Sequence, residues 1–147
     1  MLKRPRQLDP AEIEALLALD VPARLATLDR DGFPHVTPLW FVWDEGAFYM
    51  TSIADRPHLR RVSHNPRAGL CIDVEDPERA DGQRPNRQFR AVGDARLFPD
   101  RDGRWTARIT RKYLHGPSAA ASAAARAADE RIVVCLRPVR VVAVASV

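Results

Sequence analysis

The sequence predicts a mainly β fold: a small antiparallel barrel of about six strands with helices on its flanks. Two observations carry this expectation. Runs of β-branched, aromatic and aliphatic residues recur along the chain, and tight turns such as Asp29-Arg30-Asp31-Gly32 and Asp44-Glu45-Gly46 join the early ones. Strands joined by tight turns pair antiparallel, and a set of about six with one long second strand can close on itself.

The elements follow in order. Asp9-Pro10-Ala11-Glu12 opens a helix over residues 9–20, with a capping Asp, a Pro in the first turn and an acid at the positive end of the helix dipole. Ile13, Leu16, Leu17 and Leu19 form its apolar face, and Val21-Pro22 stops it. Residues 23–28 read as a first strand, 35–43 as a longer second and 47–51 as a third. Pro38 must lie at an edge or bulge of the second, because it cannot donate to a ladder. A short helix follows from Arg56 to Pro66, with Asp55 as the expected cap and Pro57 early. Residues 68–74 and 88–98 are the fourth and fifth strands, the latter with an expected bulge at Gly93. Between them residues 75–85 form a polar loop. Helices are expected over residues 104–130, the second of them alanine-rich, where helix propensity is high. Residues 131–136 and 139–144 close the set as strand segments broken by Pro138.

The chain has 147 residues, which suits a single domain spanning 1–147. No apolar run approaches the roughly 20 residues that span a bilayer. The basic N-terminus leads into Gln7-Leu8-Asp9-Pro10 instead of an apolar stretch, so the cytoplasm is the expected compartment. Cys71 and Cys135 lie in strand-like apolar runs and are expected in the core; no His/Cys cluster has zinc spacing, and no metal site is expected. The net charge is +4 and the pI about 9.7. Lys3 and Lys112 are the only lysines, and the arginines are scattered among acids, so a solvated surface with local anion sites is expected and nucleic-acid binding is not.

Three stretches could carry chemistry. Thr51-Ser52-Ile53-Ala54-Asp55-Arg56-Pro57-His58 joins a strand end to a helix start. Free backbone N–H groups and a guanidinium there make an anion site, although an ordinary helix start with exposed Arg and His has the same pattern. Val36-Thr37-Pro38-Leu39-Trp40 is a Pro-interrupted strand whose unpaired backbone groups can bond a heteroaromatic edge, or merely pack. Trp40 and Trp43 are an odd distance apart and are expected on opposite faces. In Arg87-Gln88-Phe89-Arg90, Gln88 can donate to and accept from a ring, or serve as a polar outer face. The serines lack a nucleophile-elbow context, the histidines have no paired acid, and no Walker loop or GxGxxG occurs. The reactive group of an enzyme with this sequence is therefore brought in.

In this order the motifs resemble the pyridoxamine 5'-phosphate oxidase-like split-barrel family, which holds a flavin or deazaflavin between two subunits. The landmarks are Pro38-x-Trp40-Phe41, Tyr49-Met50-Thr51-Ser52, the Arg56 to Pro66 helix with Asn65-Pro66-Arg67, and Asn86-Arg87-Gln88-Phe89-Arg90. The resemblance runs from about Ala23 to Leu97. It implies a split antiparallel six-stranded barrel and a cofactor, FMN or F420. The backbone of Val36, Thr37, Pro38, Leu39 and Trp40 would run along the ring edge. Met50 and Thr51 would contact the cofactor beside Ser52, and Arg56 would take its phosphate. The family often has a lysine close to that arginine. Here His58 stands near it, and Arg60 or Arg61 would compensate. Gln88 would reach the cofactor from the second subunit of a homodimer.

The same resemblance implies a redox enzyme that passes a hydride between the cofactor ring and a small organic substrate, with no protein nucleophile and no assigned proton donor. The C-terminus departs from the oxidases proper, which carry a substrate-binding Arg-x-His; here Arg137-Pro138-Val139-Arg140 leads into an apolar strand. The Pro-x-Trp-Phe strand looks closer to the F420-using branch. The alternative is a flavin or haem carrier of the same fold, with His35, His58, His64 or His115 as the axial ligand.

Overall fold

The computed structural model describes residues 4–77 and 84–146; the tip of the expected 75–85 loop lies outside them. The described elements are β1 (Arg6–Gln7), α1 (Pro10–Ala18), β2 (Ala23–Leu28), β3 (Pro34–Leu39), β4 (Val42–Asp44), β5 (Ala47–Ile53), α2 (Pro57–His64), β6 (Arg67–Glu75), β7 (Asn86–Pro99), α3 (Arg104–Tyr113), α4 (Ala119–Ala127), β8 (Arg131–Leu136) and β9 (Arg140–Ser146). The fold is mainly antiparallel β with flanking helices, as expected. The six expected strands are all present. The second and the last are each broken in two, and the short β1 adds to β9.

The strands form one network in the order β3-β2-β6-β7-β8-β5-β4, with β9 joining β7 and β1. The long β7 is its axis. One edge pairs with β6 from Asn86 to Asp94; the other pairs first with β9 and then, from Ala95, with β8. β3 and β4 end the path on opposite sides, yet only Trp40 and Phe41 separate them in the chain. The covalent chain, and not a hydrogen-bonded ladder, bridges the barrel there. Pro38 sits in the terminal strand β3, as its missing N–H requires.

Phe41 explains the break in the expected 35–43 strand. Its N–H donates to the Tyr113 hydroxyl and its carbonyl accepts from Lys112 Nζ at 3.1 Å, so α3 takes both backbone groups that a strand would use. Its ring is fully buried and meets Phe48 edge-on, in a core that also holds Leu25, Met50 and Ile72. With the strand broken, simple alternation no longer places the tryptophans. Trp40 turns toward α3 and stacks on Tyr113, whereas Trp43 packs on Phe48 and donates to Glu14 of α1.

Three further expectations need correction. Asp55 does not cap α2: it has φ of +72°, Arg56 is the cap residue, and no side chain accepts from the helix start. Cys135 is buried, but Cys71 lies half-buried on the outer face of β6, where strand alternation puts it opposite Leu70 and Ile72. Gly93 makes no bulge, since its pairing with β6 continues in register. Glycine is required there for another reason. A Cβ would stand 2.5 Å from the Arg137 carbonyl oxygen, where β8 gives way to β9 against β7.

Candidate functional site

A cleft of about 630 Å³ opens between β3, the end of β5, the start of α2, α4 and β8. It brings together most of the residues singled out from the sequence: Thr37, Pro38, Leu39 and Trp40 on one wall, Thr51 and Ser52 on the floor, and Arg56 and His58 at one end. The β3 wall is exposed because β3 is an edge strand, and α2 starts at the cleft because β5 ends there.

Four expected residues lie elsewhere. Val36 is on the same strand but 64% exposed and outside the cleft. The Met50 side chain points into the barrel core with no exposed surface. Arg60 turns away, donating to the Asp55 carbonyl at 2.6 Å, and lines other hollows. Gln88 sits on β7 opposite Asp73 and Val144, with its amide donating to Asn86. It does not line the cleft of its own chain.

The electrostatics of the cleft are one-sided. Arg56, Arg61, Arg126 and Arg131 all line it, and no acidic residue does. The ion pairs among the described residues use other cations. Instead, the arginines bond neutral oxygens: Arg61 Nε donates to Thr27 Oγ1 at 2.8 Å, Arg126 Nε to Thr110 Oγ1 at 3.2 Å, and Arg131 Nε to Thr51 Oγ1 at 3.2 Å. Guanidiniums held this way keep their charge unneutralised.

His58 adds no charge to them. It is buried, its Nε2 is hydrogen-bonded to Ser52 Oγ at 2.8 Å, and burial, reinforced by Arg61 and Arg56, lowers its pKa to about 4. The imidazole is neutral at pH 7 and orients the Ser52 hydroxyl. Because the folded pKa lies below the unfolded value near 6.5, the unfolded chain binds the extra proton first. This contribution to stability is therefore full above about pH 6.5 and lost as pH falls toward 4. We expect His58→Gln to flatten the pH 4–6.5 part of the stability profile, by roughly 1–3 kcal/mol, in denaturant titrations across that range. An unchanged slope would remove His58 as its source.

Trp40 is held from behind. Its ring stacks on Tyr113, centroids 4.9 Å apart and 3° from parallel, and the Arg126 guanidinium lies 4.9 Å from its centroid. The Tyr113 hydroxyl donates to the Val21 carbonyl at 2.8 Å, and burial pushes its pKa up to about 12. Lys112 Nζ donates to the carbonyls of Leu17 and Phe41, and burial pulls its pKa down to about 8. The Trp40-Phe41 corner is thus tied to both α1 and α3.

Sequence reasoning missed Arg126 and Arg131 as cleft residues, and Lys112 as a support of the Trp40-Phe41 corner. Two signals were present. Arg126 is the only charged residue between Pro117 and Ala128, and Lys112 is a rare lysine in an arginine-rich chain. Tyr49 stacks on Trp105, and His35 bonds Asp29, a paired acid that the sequence did not reveal; neither residue lines the cleft.

On the outer face of the sheet lies a second hollow, of about 540 Å³, lined by Ala26, Leu28, Gly69, Val92 and Val139 among others. Val92, Val139 and Val142 are exposed there and beside it. Among the described residues no group of three His, Cys, Asp or Glu could hold a metal ion, and no helix is long and apolar enough to cross a membrane.

Comparison with known proteins bears on the family and the fold. The family model described as pyridoxamine 5'-phosphate oxidase matches residues 9–145. Among solved structures, an F420 reductase is 26% identical, with 87% of this chain and 94% of that chain covered and a TM-score of 0.65. An FAD-binding protein from Mesorhizobium loti is 19% identical over 99% of this chain and 100% of its own, with a TM-score of 0.68. The haem storage protein HutZ from Vibrio cholerae is 17% identical over 95% of this chain and 96% of its own, with a TM-score of 0.67. The last two share the fold. The comparison with curated proteins found no match.

Proposed function

The chain belongs to the pyridoxamine 5'-phosphate oxidase family, and from that premise we propose that it is an oxidoreductase using FMN or F420 to reduce or oxidise a small organic substrate. The observation that carries this reading is the cleft itself: four arginines with no acid, beside an aromatic wall and an edge strand. These residues fit a phosphate-bearing ring cofactor. The start of α2 has no side-chain cap, but Pro57 brings no N–H and the Leu59 N–H bonds the Arg56 carbonyl, so an anion there relies mainly on the guanidiniums of Arg56 and Arg61. Thr37 to Trp40 and the Thr51-Ser52 floor supply polar backbone and hydroxyls to a ring edge.

The cofactor, when bound, supplies the hydride chemistry. The protein's part is positioning and electrostatics. Arg56 and Arg61 hold the phosphate. His58, neutral, fixes Ser52. The Trp40-Tyr113 stack keeps one wall rigid, and the β3 backbone orients the ring. The F420 reductase among the structural relatives supports the deazaflavin branch, and the FAD-binding relative supports a flavin-type cofactor more broadly. A haem carrier has less support from the cleft, since its one histidine, His58, is already engaged by Ser52. The cytoplasm stays our proposal for its compartment.

We further propose that the working unit is a homodimer paired through the outer sheet face. Gln88 shares that face with Arg90 and Val92, and the exposed valines beside it supply apolar area. A second copy seated there would bring its own Gln88 toward the cofactor. We expect Val92→Glu to halve the mass measured by light scattering and to weaken cofactor binding about tenfold or more with the circular dichroism spectrum unchanged. A dimer that persists, or a monomer with full affinity, would contradict the shared site.

The direct test is titration of cofactor-free protein with FMN and F420 in parallel, following ring fluorescence. A micromolar or tighter Kd for F420 with weak FMN binding identifies a deazaflavin reductase. The reverse identifies a flavoprotein. Binding of neither, with a Soret band after haem addition, moves the chain to the carriers.

A further inference from the structure

We propose that Arg126 of α4 and Arg131 of β8 form a second oxyanion subsite in the cleft, separate from the phosphate position at the start of α2. It takes a carboxylate or phosphate carried either by the cofactor tail or by the substrate. The identity of that carrier rests on the cofactor reading above; the subsite itself does not.

Charge is the first argument. Four guanidiniums line the cleft with no acid and a neutral His58. A phosphate monoester carries about two negative charges at most near pH 7, which leaves two guanidiniums over. The second argument is geometry. Arg126 and Arg131 come from a different part of the chain than Arg56 and Arg61, and both are half-buried. Threonine oxygens take their Nε atoms, and Arg131 Nη2 also donates to the Thr51 carbonyl at 3.0 Å. A guanidinium anchored at Nε offers its terminal nitrogens as a fixed fork, the arrangement that suits two-point binding of an oxyanion.

The local acids, Asp129 and Asp100, act on Arg131 through space, and neither forms an ion pair with it or with Arg126 among the described residues. The Asp100 carboxylate is occupied by the Trp105 and Thr106 N–H groups and by the Thr106 hydroxyl at 2.7 Å, and it forms no ion pair with either arginine. Burial lowers the pKa of both guanidiniums; Arg126 and, more weakly, Arg56 lower that of Arg131 further while Asp129 and Asp100 oppose them, and the charges of Arg126 and Arg131 repel each other until an anion lies between them. Arg126 also lies over the Trp40 ring, so an oxyanion on it would sit next to an aromatic face. Helix α4 has no buried residue, and its other residues are alanines and one serine. Arg126 is its one long polar side chain, and it is directed into the cleft.

The test is calorimetric titration of wild type, Arg126→Gln and Arg131→Gln with inorganic phosphate, without and with saturating FMN, alongside titration with F420. A substrate-side subsite leaves phosphate able to bind the FMN-saturated wild type, and either substitution weakens that binding about tenfold. A cofactor-tail subsite shows instead as F420 binding about tenfold weaker in both variants, with FMN changed less than about twofold. Both results support the proposal. Phosphate and F420 isotherms that superimpose on wild type in both variants overturn it. If no flavin binds, phosphate titration of the cofactor-free protein decides alone, and a Kd that rises about tenfold in the variants keeps the subsite while the cofactor reading falls. Melting in phosphate-free buffer controls for folding. Arg126→Gln removes a like-charge contact and is expected to melt no lower than wild type, and Arg126→Lys should recover part of the lost affinity.

Discussion

Replacing Arg56 with alanine is expected to weaken FMN binding about thirtyfold while leaving riboflavin, which lacks the phosphate, unchanged within about twofold. A charge-assisted hydrogen bond to a phosphate contributes about 1.5–3 kcal/mol, and that range brackets the factor. Arg56 is exposed at the start of α2 and makes no ion pair among the described residues. Its removal should therefore cost less than about 0.5 kcal/mol of fold stability. Binding and stability then separate cleanly. Equal losses for FMN and riboflavin would mean that Arg56 shapes the cleft and does not read the phosphate. The same comparison in high salt provides a second reading, because an exposed guanidinium is screened.

Gly93→Ala is expected to destabilise the fold by about 3 kcal/mol, seen as a melting temperature lower by roughly 10 °C. The Cβ would lie 2.5 Å from a backbone oxygen of Arg137 and 3.2 Å from Leu136, and a backbone neighbour cannot rotate away. β7 and the β8–β9 junction would have to part at the strand that holds both sides of the barrel together. Gly69→Ala is the control. Its Cβ would meet nothing closer than 3.7 Å, and a strand residue that gains a side chain there should change stability by less than about 1 kcal/mol. Equal melting temperatures for the two variants would show that the junction yields, and would remove the close approach as the reason for this glycine.

The motif order pointed to the family, and the reasons are local. Turn chemistry at Asp29-Arg30-Asp31-Gly32 and Asp44-Glu45-Gly46 delimits the early strands, so β2 ends and β5 starts where the residue pattern puts them. Pro38 declares an edge strand because a missing N–H is a property of one residue. Arg56 and His58 are legible as cleft residues because a strand end and a helix start are neighbours in the chain.

Tertiary structure decided the rest, because those effects depend on elements far apart in sequence. Phe41 leaves its strand only because Lys112 and Tyr113, some 70 residues later, take its backbone groups. Asp55 reads as a cap from its type, but the entry from β5 turns it to a positive φ and away from the helix start. Gly93 reads as a bulge from its strand alone, whereas its reason is the Arg137 carbonyl across the ladder. Arg126 and Arg131 look like solvated charges in an alanine-rich helix and a strand start; only the packing of α4 and β8 around Trp40 and Thr51 turns them into the far wall of the cleft. The sequence by itself determined which side chains were available and where the chain turns, through forces that act over a few residues. Which of those side chains share a desolvated cleft, and with what charge balance, was decided by contacts that exist only once the barrel has closed.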